Sequence, residues 1–404
     1  MIFKKRKEEQ ETETAVYSVS AKEFAQMDAD EREAWHPIDP KTERFPLFCK
    51  ISPIVLVCSL ILYGISCISK SFADLYNISL GASIRIILAT VTNILPFSLA
   101  ELIIILLPVI AFISIWYIIK YRCYSRKSTL VTIACMFSIV SIFFSTFILS
   151  FGISYKGSSL NEKLKFEESA VNKQDLYNTA EYLVNKINEC EKKISFDENN
   201  FSIMPYSFNT MNQKLLSAYE NFCNKYKITF TFPSKLKPVM MSEAMSYSHI
   251  TGVYTFFTGE ANINVNFPDY TIPYTAAHEL AHQRGFAKED EANMIAFLVC
   301  LESDDIYIQY SAYLNMFEYV GAALYKADKK MYSEIRDMLD KTILNEMRAY
   351  NVFFDKYSES VASQVSGTVN DVYLKTQGTE GQISYGMVVD LTVAYLKNNG
   401  LIGD

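Results

Sequence analysis

The sequence predicts a mainly α-helical protein, with a three-helix membrane anchor at the amino terminus followed by an α+β soluble domain with a small sheet. Three observations predict this class. The first 155 residues hold three long uncharged apolar stretches, the rest of the chain is polar with helical periodicity, and one short segment alternates apolar and polar residues. We expect a cytoplasmic polar tail at 1–48, the anchor at 49–155 and the soluble domain at 156–404.

Composition limits the classes of function. Half of the 404 residues are hydrophobic, which is too many for a disordered chain, and a net charge of −7 offers no basic surface to a nucleic acid. Eight cysteines are too few for a disulfide scaffold in a chain of this length. We therefore expect no nucleic-acid partner, and we expect Cys190, Cys223 and Cys300 of the soluble domain to be free thiols.

The anchor is predicted from three stretches, at about 51–68, 102–119 and 128–153, that contain no charged residue. Each reaches the length of about 18–20 residues that a helix needs to cross a hydrocarbon core about 30 Å thick. A buried helix of a soluble protein rarely runs so far without a charge. Each stretch is therefore interpreted as a membrane span.

A fourth apolar segment, at 84–100, is shorter and carries Arg85, Asn93 and Pro96. Its length and polarity favour an interfacial or partly re-entrant segment, although a fourth span remains an alternative.

The charges predict the orientation of the anchor. The loop Lys120–Lys127 holds four basic residues, and loops this short and basic stay in the cytoplasm. The amino terminus is also basic at its start. The loop and the amino terminus lie on the same side of the membrane if two spans separate them. A third span after the loop then places residues 156–404 outside the cytoplasm. A fourth span would break this agreement.

The soluble domain is predicted to be mostly helical. A short β region is expected at Ile250–Phe257 and Glu260–Asn266, where the second piece alternates apolar residues with asparagines. Helical patterns cover the segments Asn172–Ile194, Asn209–Tyr226, most of Tyr274–Tyr357, and Tyr385–Lys397.

The chemistry is predicted from two histidines. His278 and His282 are four residues apart, so on a helix their rings project from one face and can bind one metal ion. Glu279 lies about 100° round the same helix, close to the ion without binding it. There its carboxylate can take a proton from a metal-bound water. These residues predict a catalytic zinc site, with one Zn²⁺ per chain.

A third ligand is expected just after the motif. Gly285 allows the helix to end and the chain to turn back, and an acidic cluster then opens a second helix. Glu289 is preferred over Glu291 because Asn293, four residues later, can orient a ligating carboxylate or the distal N–H of a histidine. Three protein ligands leave the fourth position for water, which is the catalytic arrangement.

These residues resemble a known class. His278–Asn293 is similar to the zincin metallopeptidases, and the Glu289-x-x-Ala-Asn element resembles the third-ligand segment of the gluzincins. Over about residues 50–400 the chain also resembles an uncharacterised family of bacterial membrane proteins, through Asn93–Ser98, Thr258–Asn264 and the His-Glu-Leu-Ala-His-Gln-Arg-Gly-Phe motif. The resemblance implies a zincin-like fold for the soluble domain, a multi-pass protein of the bacterial cell membrane and a zinc peptidase, with no substrate specified.

Other cleft residues are expected from the same resemblance. Gly259–Asn266 matches the position where zincins place an edge strand beside the active site, which binds an extended peptide, but an ordinary sheet strand explains it equally well. Glu260 either lines the cleft or is an exposed strand carboxylate, and the second is preferred. Tyr310 is a possible donor to the developing oxyanion.

The expected function is therefore a membrane-anchored, zinc-dependent metallopeptidase that hydrolyses peptide bonds outside the cytoplasm. Its expected partners are a peptide or protein substrate and the lipid bilayer. An intramembrane protease is disfavoured because charged residues flank the motif, which lies far beyond the last predicted span. A non-catalytic, membrane-anchored metal-binding sensor or interaction domain remains the main alternative.

Overall fold

A computed structural model describes residues 3–5, 18–19, 26–27, 35–37, 45–121, 126–166, 170–358, 360 and 386–403. The expected class is confirmed: the protein is mainly helical, with long apolar helices near the amino terminus and small sheets. Two compact units are present. One comprises Met1–Ile61 with Leu102–Thr146, and the other comprises Leu62–Glu101 with Phe147–Asp404.

The first unit contains a three-stranded antiparallel sheet and most of three long helices. The strands, in the order β2-β1-β3, are β1 (Phe3–Lys5), β2 (Ser18–Val19) and β3 (Trp35–Pro37). The helices that this unit shares with the second are α1 (Leu47–Ile68), α4 (Leu99–Tyr121) and α5 (Arg126–Ser150). Between them, in the second unit, lie α2 (Lys70–Ile78) and α3 (Leu80–Thr92).

Four helical segments in the described residues are long and apolar enough to cross a membrane by length and composition: Leu47–Ile68, Lys70–Thr92, Leu99–Ile119 and Thr129–Ser150. Three of them coincide with the three expected spans. The fourth combines α2 and α3, and it begins well before the segment 84–100 that the sequence singled out. That segment is itself divided, because α3 ends at Thr92 and α4 begins only at Leu99.

The second unit is a helical domain with two small sheets. A 3₁₀ turn at Gly152–Lys156 follows α5. The further helices are α6 (Leu160–Leu164), α7 (Lys173–Glu191), α8 (Phe208–Tyr226), α9 (Ser242–Ser246), α10 (Thr271–Gln283), α11 (Glu289–Leu301), α12 (Ile306–Ala327), α13 (Lys329–Asp337), α14 (Lys341–Asp355) and α15 (Met387–Asn398). The remaining strands are β4 (Ser195–Phe196), β5 (Ser202–Ile203), β6 (Lys237–Pro238), β7 (Gly252–Thr255) and β8 (Glu260–Ile263).

The larger sheet of this unit has the order β6-β8-β7. β8 pairs in parallel with β6 and antiparallel with β7, and all four of its residues are buried. The interpretation of Gly259–Asn266 as an edge strand is therefore wrong, since β8 has a neighbour on both sides. The strand at the edge beside the metal-motif helix is β7.

Glu260, the first residue of β8, has neither of the expected environments. It is buried, and its two carboxylate oxygens accept hydrogen bonds from the backbone N–H groups of Leu99 and Ala100, at 3.0 and 2.9 Å. These N–H groups open α4 and have no partner within that helix, so the carboxylate caps it. Glu260 is thus a structural residue.

The core surrounds α10 and α11. Ala276, Ala277, Leu280 and Ala281 are fully buried, because the small side chains of α10 let neighbouring helices approach closely. The expected thiols are confirmed: Cys190 and Cys300 are buried, Cys223 is half-buried, and all three are free.

Candidate metal centre

The candidate centre lies between α10 and the first turn of α11. His278 and His282 project from α10, with ring centroids 4.6 Å apart. The Nε2 atom of His278 lies 3.2 Å from Oε2 of Glu289, and Nε2 of His282 lies 3.6 Å from Oε1 of the same residue. Among the described residues, these three form a group whose potential ligand atoms all lie within 4.8 Å of one another. Two nitrogens and one carboxylate oxygen therefore converge on one point.

The turn between the helices brings Glu289 back toward the histidines. α10 ends at Gln283, and Gly285 follows with φ of +96°, a left-handed conformation that glycine adopts without steric cost. The N–H of Phe286 then bonds to the carbonyl of Ala281 and closes the turn. Because α11 begins at Glu289, this carboxylate stands at the helix start, facing α10.

The other ring nitrogen of each histidine is held by a carbonyl oxygen. Nδ1 of His278 lies 2.9 Å from Oδ1 of Asn293, and Nδ1 of His282 lies 2.7 Å from the backbone oxygen of Phe286. A carbonyl oxygen only accepts, so both Nδ1 atoms carry the proton. In both rings the nitrogen that faces Glu289 is therefore Nε2, and this is the atom through which a metal would bind after any proton on it has left.

Tyr274 supports this arrangement from the preceding turn of α10. Its hydroxyl is buried and donates to the backbone oxygen of Asn293 at 3.0 Å. The contact joins α11 to α10 beside the His278–Asn293 pair, so two hydrogen bonds fix the relative position of the two helices that carry the cluster.

Charge couples His282 to Glu289. Burial alone lowers the pKa of His282, but the adjacent Glu289 carboxylate outweighs it and raises the pKa to about 9. Burial likewise raises the pKa of Glu289, and the two histidines reverse this and hold it well below its usual range. In the metal-free protein the two groups therefore form an ion pair at neutral pH.

Glu279 lies on α10 beside this cluster and is buried. Burial raises its pKa, although the two histidines oppose the shift. Among the described residues, its Oε2 atom has no hydrogen-bond partner. A methyl group placed on Gly252 of β7 would lie 2.7 Å from the Glu279 side chain, so the edge strand runs directly against the carboxylate.

Glu291, the alternative third ligand, points elsewhere. Its Oε1 accepts hydrogen bonds from the backbone N–H of Leu160 and from Nζ of Lys288, at 3.2 and 3.1 Å. Two residues along a helix correspond to a rotation of about 200°, so Glu289 and Glu291 face opposite sides of α11. The structure brings Glu289, and not Glu291, to the two histidines.

Tyr310 is not among the residues that the structure brings to the cluster. It is fully buried in α12, where its hydroxyl donates to Glu346, a buried carboxylate that also accepts from Ser202. Its proposed role as an oxyanion donor is not supported by this position.

Two residues beside the centre were missed by sequence reasoning. The ring of Phe151, directly after α5, lies 5.7 Å from the ring of His282. Asn77 of α2 donates to the backbone oxygen of Gly285 at 3.0 Å. Both are more than 125 positions from the motif in the sequence, and no local pattern marks them.

Comparisons with known proteins give one match. A protein-family model with the description "Protein of unknown function (DUF3810)" matches residues 76–393. No curated protein and no solved structure matches the chain significantly.

Proposed function

The chain belongs to this family, whose description names no activity, and we propose from the geometry of the centre that it is a zinc-dependent peptidase of the gluzincin type. The observation that carries the proposal is the position of Glu279. A buried carboxylate with an unpartnered oxygen lies beside two histidines and a glutamate that converge on one point.

The residues present fit a zinc ion. Two imidazole nitrogens and one carboxylate are the ligand set of many catalytic zinc sites, and three protein ligands leave a coordination position open. Asn293 and the carbonyl of Phe286 hold the Nδ1 protons of the two histidines, so each ring presents its Nε2 atom to the ion. When bound, Zn²⁺ would act as a Lewis acid that lowers the pKa of water and polarises a carbonyl group.

Each protein residue has a distinct role in the proposed reaction. His278, His282 and Glu289 hold the ion. Glu279 takes a proton from the attacking water and passes it to the nitrogen of the leaving amine, and its raised pKa brings it closer to the value that suits both transfers. The edge strand β7 runs beside Glu279 and offers backbone groups to an extended peptide. This arrangement favours a peptide bond as the target.

The proposed location follows from the apolar helices and the charges. A span through α1, a return through α4 and a third crossing through α5 leave the loop at 120–127 in the cytoplasm and the metal centre outside. α10 itself has 13 residues, too few for a span, which disfavours hydrolysis within the lipid core.

The proposal is tested on the full-length protein in lipid nanodiscs. We expect about one zinc per chain by elemental analysis, and cleavage of members of a peptide library. Glu279→Gln should keep the zinc and lose at least a hundredfold in rate, since general-base catalysis contributes about 10²–10⁴. Glu198→Gln, on the surface of the same domain, serves as the matched control and should leave both unchanged.

Metal content separates the candidate ligands. Glu289→Ala should lose the zinc, and Glu291→Ala should keep it. Zinc lost only from the Glu291 variant would contradict the ligand assignment. If the wild-type protein binds zinc at full occupancy but cleaves peptides no faster than Glu279→Gln, the result would instead favour the non-catalytic metal-binding domain.

A further inference from the structure

We infer that residues 70–98, which include α2 and α3, do not cross the membrane but lie along its surface on the side of the metal centre. One face of this pair packs on the metal-binding domain, and the other lies against lipid. The inference is independent of hydrolysis, because it concerns where the chain lies and which partner covers it.

Both ends of the segment are fastened to the same polar domain. At its start, Nζ of Lys70 lies 3.0 Å from Glu162, and Asp74 accepts hydrogen bonds from the backbone and hydroxyl of Ser158. At its end, Asn93 donates to the carbonyl of Pro233 at 3.0 Å.

The chain directly after the segment is attached to the same domain. The Glu101 carboxylate accepts from the backbone N–H groups of Met240 and Met241, at 3.0 and 2.8 Å, and Glu260 caps the preceding residues as described above. A helix that crosses the bilayer has its two ends about 30 Å apart on opposite sides. One compact polar domain cannot contact both ends unless they lie on the same side.

The middle of the segment is attached as well. The buried guanidinium of Arg85 donates to the backbone oxygens of Asn77 and Ser150, at 2.8 and 3.0 Å. Nζ of Lys237 donates to the backbone oxygens of Thr92 and Leu95, where the carboxyl end of α3 attracts a positive charge. Polar contacts with the domain therefore hold the pair at its start, its middle and its end.

Two glycines of the domain make this contact close. A methyl group on Gly285 would lie 2.5 Å from both Arg85 and Asn77, and one on Gly259 would lie 2.7 Å from Leu88. Gly285 is the residue that turns the chain between His282 and Glu289. The α2–α3 pair therefore supports the turn of the metal centre directly, and it positions that turn without touching the reacting atoms.

The opposite face of the pair carries no charge. The exposed residues between 71 and 97 are Ser71, Leu75, Ile78, Ser79, Leu80, Ser83, Ile87, Thr90, Val91, Ile94, Pro96 and Phe97. Ile87 and Ile94 are 62% and 81% exposed. A continuous uncharged surface of this size is unusual against water and is typical of a helix that lies in the membrane interface.

The two apolar helices that flank the pair identify the bilayer as the partner that covers this face. α2 begins two residues after α1 ends, and α4 begins seven residues after α3 ends. Since α1 and α4 are apolar helices of span length, the pair emerges from lipid at one end and returns to lipid at the other. A lipid surface is therefore the partner that its chemistry and position fit.

Sidedness is tested first, on the full-length protein in intact cells. Lys70→Cys, Asn93→Cys and the domain marker Glu198→Cys are treated with a membrane-impermeant maleimide, and the labelled positions are identified by mass spectrometry; Asn93 is chosen because it faces the polar domain and not the lipid. We expect all three to be labelled from the same side. Labelling of position 93 only from the side opposite to position 198 would overturn the inference in favour of a fourth span.

Lipid contact is tested second, in nanodiscs. Trp35→Phe and Trp116→Phe remove the native tryptophans, and a single tryptophan is placed by Ile87→Trp or, as the matched control in the domain, by Tyr325→Trp. Brominated acyl chains should quench the emission at position 87 several-fold more than at 325, and bromines near the headgroup should quench it best. Equal quenching at the two positions would show that water or protein, and not lipid, covers this face.

Discussion

The side-chain amide of Asn293 lies 2.9 Å from Nδ1 of His278, so α11 both carries the proposed ligand Glu289 and fixes the ring of a histidine on α10. Asn293 and Glu289 are four residues apart and occupy the same face of α11. The carboxylate and the amide therefore approach the first helix together.

This relationship predicts the effect of removing the amide. Asn293→Ala leaves the Nδ1 proton of His278 without an acceptor and frees the ring to rotate, so zinc affinity should fall about 10- to 100-fold. Asn293→Asp keeps an acceptor and should restore most of the loss. Competition with a chelator measures both, and equal affinity for Asn293→Ala and the wild type would contradict the role.

Zinc binding should release a proton from the centre. Glu289 raises the pKa of His282 to about 9 in the metal-free protein, so this histidine is protonated at neutral pH. A metal takes its lone pair and must displace that proton. The apparent dissociation constant should therefore rise about tenfold for each pH unit below 9, as expected for one proton.

Calorimetry in buffers of different ionisation enthalpy counts the released protons directly. We expect about one proton per zinc at pH 7.5. A binding enthalpy that does not depend on the buffer would contradict the ion pair between His282 and Glu289.

The edge strand should control the position of Glu279. Gly252→Ala places a methyl group where the Glu279 side chain now lies, 2.7 Å away, and the carboxylate must move. A displacement of about 1 Å can reduce the rate on the order of a hundredfold. Zinc content should remain unchanged, because Glu279 is not a ligand in the proposed centre.

Gly386→Ala is the matched control, since open space surrounds a methyl group at that position. Peptide hydrolysis and zinc content are measured for both variants. An unchanged rate in Gly252→Ala would indicate that the carboxylate does not act in the reaction.

Tyr310 should matter for stability and not for hydrolysis. Tyr310→Phe removes a donor to the buried Glu346 and should cost about 1–3 kcal/mol of unfolding free energy. Burial already raises the pKa of Glu346. The protonated carboxyl group therefore stabilises the fold at low pH, and this stability is lost as the pH rises through the folded-state pKa. Loss of the tyrosine donor raises this pKa further.

The destabilisation should therefore be larger at pH 8 than at pH 4, as measured by thermal unfolding. Tyr325→Phe on the surface is the control and should change stability by less than about 0.5 kcal/mol. A hundredfold loss of hydrolysis in folded Tyr310→Phe protein would instead support a role as an oxyanion donor.

Local patterns predicted the helices of the centre well. The spacing of His278 and His282 and the glycine after them are properties of one helix and its end, so they depend on nearby residues alone. The preference for Glu289 over Glu291 also rested on helix geometry, through the position of Asn293. The structure places Asn293 against His278, which is one of the two contacts that this spacing allows.

Long-range contacts could not be predicted in the same way. The period-2 pattern identified β8 as a strand, but it could not show that β6, more than 20 residues earlier, pairs with it and makes it central. Likewise, Glu260 was recognisable as a charged residue on a strand, whereas its role as a cap for α4 depends on residues about 160 positions away.

The sequence by itself determined the apolar helices, the helix that carries His278 and His282, and the turn that follows it, because each depends on periodicity and turn chemistry within a few residues. Only the tertiary structure decided the order of the strands, the environment of Tyr310 and the attachment of α2 and α3 to the domain. Arg85 shows the reason. In the sequence it is a charge that interrupts an apolar segment, and only packing reveals that the backbone oxygens of Asn77 and Ser150 accept its hydrogen bonds beside Gly285.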